Sequence, residues 1–330
     1  MGSYIPPYAI SERMLELVSS ISEKVGRLTV YKELDSRPHL RRNNRIRSIH
    51  SSLRIEANSL SLNEVRDVIN GHAVWGDRKE IQEIKNAYAA YERISEIDPS
   101  SLEQLKEMHG IMTRQTVESA GSFRCSNEGV FSGDKCIFVA PPPNMVNGLM
   151  KDLLSWVKEF EGKVHPLIMA AVFHYEFVFI HPFADGNGRM ARLWYTVILS
   201  RWRSVFKYIP LESQIERFQE QYYEAIAECH ANGNSNAFIE FMLDMTDRTL
   251  AEVTAQINKS NTGVSEYVKR LLNLMEFDVP YTSNEIMERL GLKSKEALRK
   301  NYLNPAIELG LIRMTLPDKP SSKNQRYVKL

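Results

Sequence analysis

Apolar residues recur at three- and four-residue steps through ERMLELVSSISEKVGRL, RIRSIHSSLRIEA, RKEIQEIKNAYAAYERI, SLEQLKEMHGIM, MVNGLMKDLLSWVKEF and PLIMAAVFHYEFVFI. A side chain returns to the same helical face at that spacing, so each stretch reads as an α-helix burying one stripe against its neighbours. The chain is therefore expected to be mainly α. RMARLWYTVILSRW and the long stretch from Gln214 to Ile257 continue the pattern, with a break at Asn232-Gly233-Asn234. One segment stands apart. GSFRCSNEGVFSGDKCIFVAPPP, residues 121–143, has short β-prone runs around Gly133-Asp134 and closes on three prolines, which reads as a β-hairpin on a helical scaffold.

The chain has 330 residues, more than one common domain, and its composition shifts near Asn261-Thr262-Gly263, where a linker is expected. The reading is a helical extension over residues 1–100, a helical core over 101–250 and a further unit over 264–330. In the last of these, Thr282 or Ser283 caps a helix that Gly291 ends, and two short strands follow around a Pro-Ser-Ser tip. That is the outline of a winged helix-turn-helix. From 265 to 330 twelve basic residues against eight acidic ones leave +4, a mildly basic unit. The whole chain carries only +1, so no global field draws it to nucleic acid or an anionic membrane. Three cysteines, Cys125, Cys136 and Cys229, have neither even number nor zinc-type spacing, so a reduced, cytoplasmic setting is expected. The opening MGSYIPPYAISERM lacks the apolar core of a signal peptide, and no run approaches the ~18 apolar residues of a membrane span.

HPFADGNGRMAR, residues 181–192, follows the sixth helix directly. Gly186-Asn187-Gly188 permits positive φ just ahead of a helix, where consecutive N–H groups form an anion nest on a helix N-terminus. Arg189 and Arg192 lie on one face a turn further on, placed to clamp phosphate oxygens. Asp185 offers the single carboxylate that Mg²⁺ takes when phosphates supply its other ligands. His181 reads as a neutral imidazole able to accept a proton from an incoming hydroxyl. Together they suit attack on a nucleotide phosphate.

The segment resembles the signature of Fic-domain proteins, His-Pro-Phe-x-(Asp/Glu)-Gly-Asn-Gly-Arg-x-x-Arg, and matches it at His181, Pro182, Phe183, Asp185, Gly186, Asn187, Gly188, Arg189 and Arg192. The resemblance extends over most of residues 1–245. It implies a Fic-type helical bundle with a flap, and an enzyme that transfers AMP from ATP to a Ser, Thr or Tyr hydroxyl of a target protein. By that resemblance His181 is the general base and Asp185 holds Mg²⁺. Gly186, Gly188 and the backbone and side chain of Asn187 support phosphate, while Arg189 and Arg192 hold the outer phosphates. Phe183 anchors the loop. Gly188 favours AMP transfer over the reversed, kinase-like geometry of Doc relatives, which carry lysine there. Phosphocholine and UMP transfer also occur in the family, and the motif leaves them open. The hairpin over 129–140 resembles the flap that aligns a target segment by strand pairing, and homodimers are common among relatives.

SSLRIEAN, residues 51–58, resembles the inhibitory helix (Ser/Thr)-x-x-x-Glu-(Gly/Asn) at Ser52 and Glu56, with Ala57 in place of Gly or Asn and Asn58 one position later. A glutamate there is placed to pair with Arg192 and withhold it from the γ-phosphate. Some relatives use the equivalent glutamate to remove AMP, so de-AMPylation is a secondary expectation. The arginines at 37, 41, 42, 45 and 47 read as a solvated face, and His174 and Tyr222 as core residues. A different class of function stays open: a DNA-binding transcriptional regulator led by residues 264–330, with the Fic unit as a nucleotide sensor.

Overall fold

The computed structural model describes residues 4–30, 38–132, 135–261, 265–276, 279–320 and 322–329. Arg37, the Gly133-Asp134 turn and Thr262-Gly263 of the expected linker lie outside them. Along the chain come α1 (Glu12–Val30), α2 (Pro38–Ile55), α3 (Leu62–Ile69), α4 (Arg78–Glu92) and α5 (Leu102–Met112), then strands β1 (Gly129–Ser132) and β2 (Lys135–Val139). There follow α6 (Pro143–Glu159), α7 (Pro166–Ile180), α8 (Asn187–Trp202), α9 (Leu211–Arg217), α10 (Gln219–Asn232) and α11 (Asn236–Asn261). Two compact units result. The first comprises Met1–Gly26 with Arg45–Leu250, the second Arg27–Asn44 with Ala251–Leu330.

The first unit is organised around α7 and α8. α7 is buried without a break from Leu167 to Phe177, and α8 from Arg189 to Ser200. A helix with no solvent stripe has to be enclosed on all sides, and these two form the centre of the unit. Phe173 and Trp194 stack across them with ring centroids 6.4 Å apart, and the Trp194 indole N–H donates to Pro99 O at 2.9 Å. His174, completely buried on α7, reaches the Tyr222 hydroxyl at 2.9 Å, as befits a core histidine. A fully buried apolar side chain such as Phe173 contributes ~1.5–3 kcal/mol, and the six-residue loop joining α7 to α8 is held at both ends by buried helices.

Residues 45–250 fold together in the first unit. The reason is visible in buried polar contacts between residues 45–100 and 101–250: the Tyr91 hydroxyl of α4 donates to Glu212 Oε1 of α9 at 2.6 Å, and Ser51 of α2 bonds to Ser213 at 3.3 Å. Arg45 pairs with Glu92 and covers the Tyr208 ring. β1 and β2 pair antiparallel from Gly129 opposite Val139 to Ser132 opposite Lys135, with an irregularity between Val130 and Phe131.

The second unit contains α12 (Glu266–Leu274), β3 (Pro280–Thr282) and α13 (Ser283–Leu290), then α14 (Lys295–Leu298) continuing through a π turn into α15 (Asn304–Glu308), then β4 (Ile312–Met314) and β5 (Arg326–Lys329). Its sheet is antiparallel in the order β3-β5-β4. Thr282 and Glu285 form a reciprocal capping box at the start of α13, and Gly291, at φ +69°, ends it. Val268, Leu271, Ile286, Leu298, Tyr302 and Ile312 supply its own core.

Candidate functional site

α7 stops at His181, which takes the left-handed conformation (φ 50°, ψ 59°) while its N–H still bonds to Phe177 O at 3.0 Å. Outside glycine that conformation costs about 1–2 kcal/mol, and the surroundings hold it. Two residues on, Phe183 is fully buried and lies flat on His109, centroids 3.6 Å apart and planes within 2°. The Asn187 amide closes the loop: Oδ1 accepts the Phe183 N–H at 3.0 Å and Nδ2 donates to Phe183 O at 2.7 Å. Both bonds go to the Phe183 main chain, because a tight turn leaves the Phe183 N–H and C=O without helical partners. Gly186 then caps α8 at φ +81°, where an added Cβ would lie 2.9 Å from Thr113 Cγ2. Backbone and space both demand glycine there.

The imidazole of His181 has its Nδ1 buried. Burial lowers its pKa below the ordinary 6.5, the Arg124 charge adds to this, and the Val178 backbone with Glu128 and Glu56 opposes it. The side chain is therefore neutral at pH 7. Asp185 is nearly half exposed, with Oδ1 accepting the Gly186 N–H at 2.5 Å and Arg189 Nη2 at 3.2 Å. Arg189 is buried, with Nη2 3.2 Å from Asp185 Oδ1 and Nη1 3.4 Å from Glu83 Oε1.

Arg192 is the fully buried cation of the site. Its Nη2 donates to Glu56 Oε1 at 2.6 Å and to Ser52 O at 2.9 Å, and its Nε to Ser52 Oγ at 3.0 Å. Burial would push this guanidinium down, yet Glu56, with the hydroxyls of Tyr222 and Tyr91 nearby, holds it above its ordinary range. The Glu56 carboxylate also lies against Gly188: a Cβ there would run into Oε1 and stand 3.0 Å from Arg192 Nη1. Glu56 thus occupies the N-terminus of α8, where dipole and backbone N–H groups favour an anion. α2 ends in a Schellman close, with the Asn58 N–H on Leu53 O and the Ala57 N–H on Arg54 O. Ala57 takes the left-handed position at φ 65°. The Asn58 amide reaches Glu83 Oε2 at 3.1 Å, so one carboxylate links the end of α2 to Arg189.

The sequence reading brought together Ser52, Glu56, His181 and the motif, and missed three residues that hold them. Glu83 is one and His109 another. Burial lowers the His109 pKa to about 4; Arg189 adds to this and the Asp185 carbonyl opposes it. Its Nδ1 accepts the Gly121 N–H at 2.9 Å, so Nε2 carries the hydrogen and donates to Asp185 O at 2.9 Å. The third is Arg124, bonded to the carbonyls of Ile180 and His181. No spacing rule singles these out, because their partners are main-chain atoms or residues distant in sequence.

A central helical hairpin with a histidine at its turn, a β-hairpin alongside and Glu56 at the end of α2 against the head of α8 defines a protein of the Fic type. Residues 99–199 match the family model described as Fic/DOC family, and residues 266–329 the one described as Filamentation induced by cAMP protein Fic-like, C-terminal domain. The solved structure of a Fic family protein from Desulfovibrio desulfuricans G20 is 41% identical with a TM-score of 0.74, covering 99% of this chain and 98% of that one. The chain belongs to the Fic family. Protein adenylyltransferase fic-1 of Caenorhabditis elegans is 26% identical over 285 residues, 78% of this chain and 55% of that protein. Protein adenylyltransferase Fic of Aedes aegypti is 30% identical over 214 residues, 62% of this chain and 41% of that protein. The chain spans about half the length of these curated relatives.

Glycine at position 57 removes the left-handed penalty that alanine carries there. Ala57→Gly is expected to raise stability by about 1 kcal/mol, a rise of roughly 2–4 °C in Tm for a protein of this size, read by thermal melting.

Proposed function

We propose that the protein is an adenylyltransferase that moves AMP from ATP to a Ser, Thr or Tyr hydroxyl of a target protein, and that Glu56 restrains it. The observation that carries this reading is the Glu56 carboxylate paired with buried Arg192 at the head of α8, a resident anion where an outer phosphate would bind. The naming of two relatives as protein adenylyltransferases supports it. In the proposed reaction the neutral His181 takes the proton of the target hydroxyl as that oxygen attacks the α-phosphorus. A P–O bond to the target forms, the α–β anhydride breaks and pyrophosphate leaves. Main-chain N–H groups at the start of α8 hold phosphate oxygens, and Arg192 neutralises the outermost phosphate.

Among the described residues no group of three or more His, Cys, Asp or Glu could hold a metal ion. Mg²⁺ needs no such group when phosphates complete its shell, and the half-exposed Asp185 carboxylate fits that single-carboxylate role. Mg²⁺ held there would supply neutralising charge to the phosphates. No described helix is long and apolar enough to cross a membrane.

Removing one partner of a buried ion pair costs ~3–5 kcal/mol when nothing replaces it. Glu56 is 34% exposed, which weakens the pair, and an arriving phosphate replaces the lost anion. Glu56→Gly is therefore expected to raise labelling of lysate proteins from labelled ATP by about tenfold or more, ~1.4 kcal/mol, and His181→Ala in that background to abolish it. Mass spectrometry should find an added AMP. A folded Glu56→Gly variant with unchanged labelling would refute the restraint.

The base must be neutral, and its pKa is depressed. As pH falls from 8, activity of Glu56→Gly is expected to persist through 6.5 and to decline only below it. A pH–rate profile whose acid limb lies above 6.5 contradicts the role of His181.

A second reading, a DNA-binding regulator with a nucleotide-sensing site, is favoured by one feature of the second unit. A groove bordered by Thr282, Ser283, Asn284, Lys295, Arg299 and Lys323 has no acidic side chain in its lining, which suits a phosphate backbone. The full chain is then expected to bind duplex DNA more weakly as salt rises from 50 to 200 mM, and Lys295→Glu with Arg299→Glu to lose the binding in a mobility-shift assay. No shift at 50 mM salt excludes this reading.

A further inference from the structure

We infer that Arg124 is a positioning residue that clamps both ends of the β1–β2 hairpin to the His181 loop, and so sets where a hydroxyl docked on that hairpin lies relative to the imidazole. The consequence for transfer rests on the adenylyltransferase reading; the clamp itself does not.

Arg124 is buried, and its guanidinium donates to main-chain carbonyls on three segments. Nη1 bonds to Ser126 O at 2.7 Å, ahead of β1, and Nη2 to Pro141 O at 2.6 Å, just after β2. Nε bonds to His181 O at 2.6 Å, and Nη2 also to Ile180 O at 3.3 Å. Its own N–H donates to Pro182 O at 3.0 Å, and the hairpin base is closed by the Ala140 N–H on Glu128 O at 3.0 Å. The two ends of the hairpin and the last residues of α7 thus converge on one planar fork. Charge-assisted bonds of this kind are roughly twice as strong as neutral ones, and the rigid guanidinium fixes the angles between its partners as well as their distances. One of those partners is the carbonyl of the residue held left-handed at the end of α7. A lysine would keep the charge but reach these carbonyls from a single point. The ATP side of the site, by contrast, is built from α8, α2 and Glu83, none of which Arg124 contacts through these bonds.

The clamp is tested in the Glu56→Gly background with Arg124→Gln and Arg124→Lys. Hydrogen exchange is expected to rise tenfold or more in residues 126–132 and 135–140 of Arg124→Gln, with that of α5 and α8 unchanged. Affinity for a fluorescent ATP analogue is expected to stay within twofold, while AMP incorporation into lysate proteins falls at least tenfold. Arg124→Lys should be intermediate in both. The acid limb of the pH–rate profile should move to higher pH in Arg124→Gln, which loses a positive charge beside His181, and stay in place in Arg124→Lys. Unchanged exchange in the hairpin overturns the clamp. Raised exchange with undiminished incorporation, or a matching loss of ATP affinity, overturns its positioning role. If Glu56→Gly itself transfers no AMP, the adenylyltransferase reading fails, and the exchange result still decides the clamp.

Discussion

A guanidinium enclosed among apolar helices has to be met by an anion, and in this protein that requirement falls on Arg192. Nothing of its side chain reaches solvent to speak of, so water cannot screen it and the charge stays strong in a low-dielectric setting. Glu56 and two oxygens of Ser52 meet it from α2. The same burial makes Arg192 intolerant of being left alone; on the proposed adenylyltransferase reading, the Glu56 carboxylate and an incoming phosphate would compete for one position. Gly188 is what lets the carboxylate approach, since a Cβ there would run into Glu56 Oε1.

Around that pair, the His181 loop is made rigid by short contacts rather than by bulk. The Asn187 amide ties the loop to itself, His109 supports Phe183 from below and Asp185 from the side, and Arg124 secures the His181 and Ile180 carbonyls. Each of these residues satisfies main-chain groups that a turn between two buried helices would otherwise leave orphaned. The neutral state of His181 follows from the same enclosure, because burial disfavours the imidazolium. Packing that positions the imidazole therefore also sets its protonation.

Much of the fold was legible beforehand. The three- and four-residue periodicity gave the helices, Gly and Pro placement gave the β-hairpin, and Thr282 and Gly291 bound α13 where expected. The polar contacts that join residues 45–100 to the rest of the first unit, such as Tyr91 to Glu212, lie 121 positions apart and leave no local pattern. Packing turns Arg189 to Asp185 and Glu83 and the Asn187 amide to the Phe183 main chain. The substitution of Ala57 for Gly or Asn in the inhibitory pattern was visible as a departure. Only φ at that residue shows that the helix keeps its left-handed close despite the strain.

What the sequence by itself determined is the local chemistry: a histidine, a carboxylate, a glycine-flanked helix start and two arginines within twelve residues, since helix periodicity and glycine freedom act over a few positions. What only the tertiary structure decided is which of those charges is already answered, and by whom. The pairing of Arg192 with Glu56, of Arg189 with Glu83 and of Arg124 with the hairpin and loop carbonyls depends on helices and strands meeting from distant parts of the chain. No stretch of sequence specifies those meetings alone.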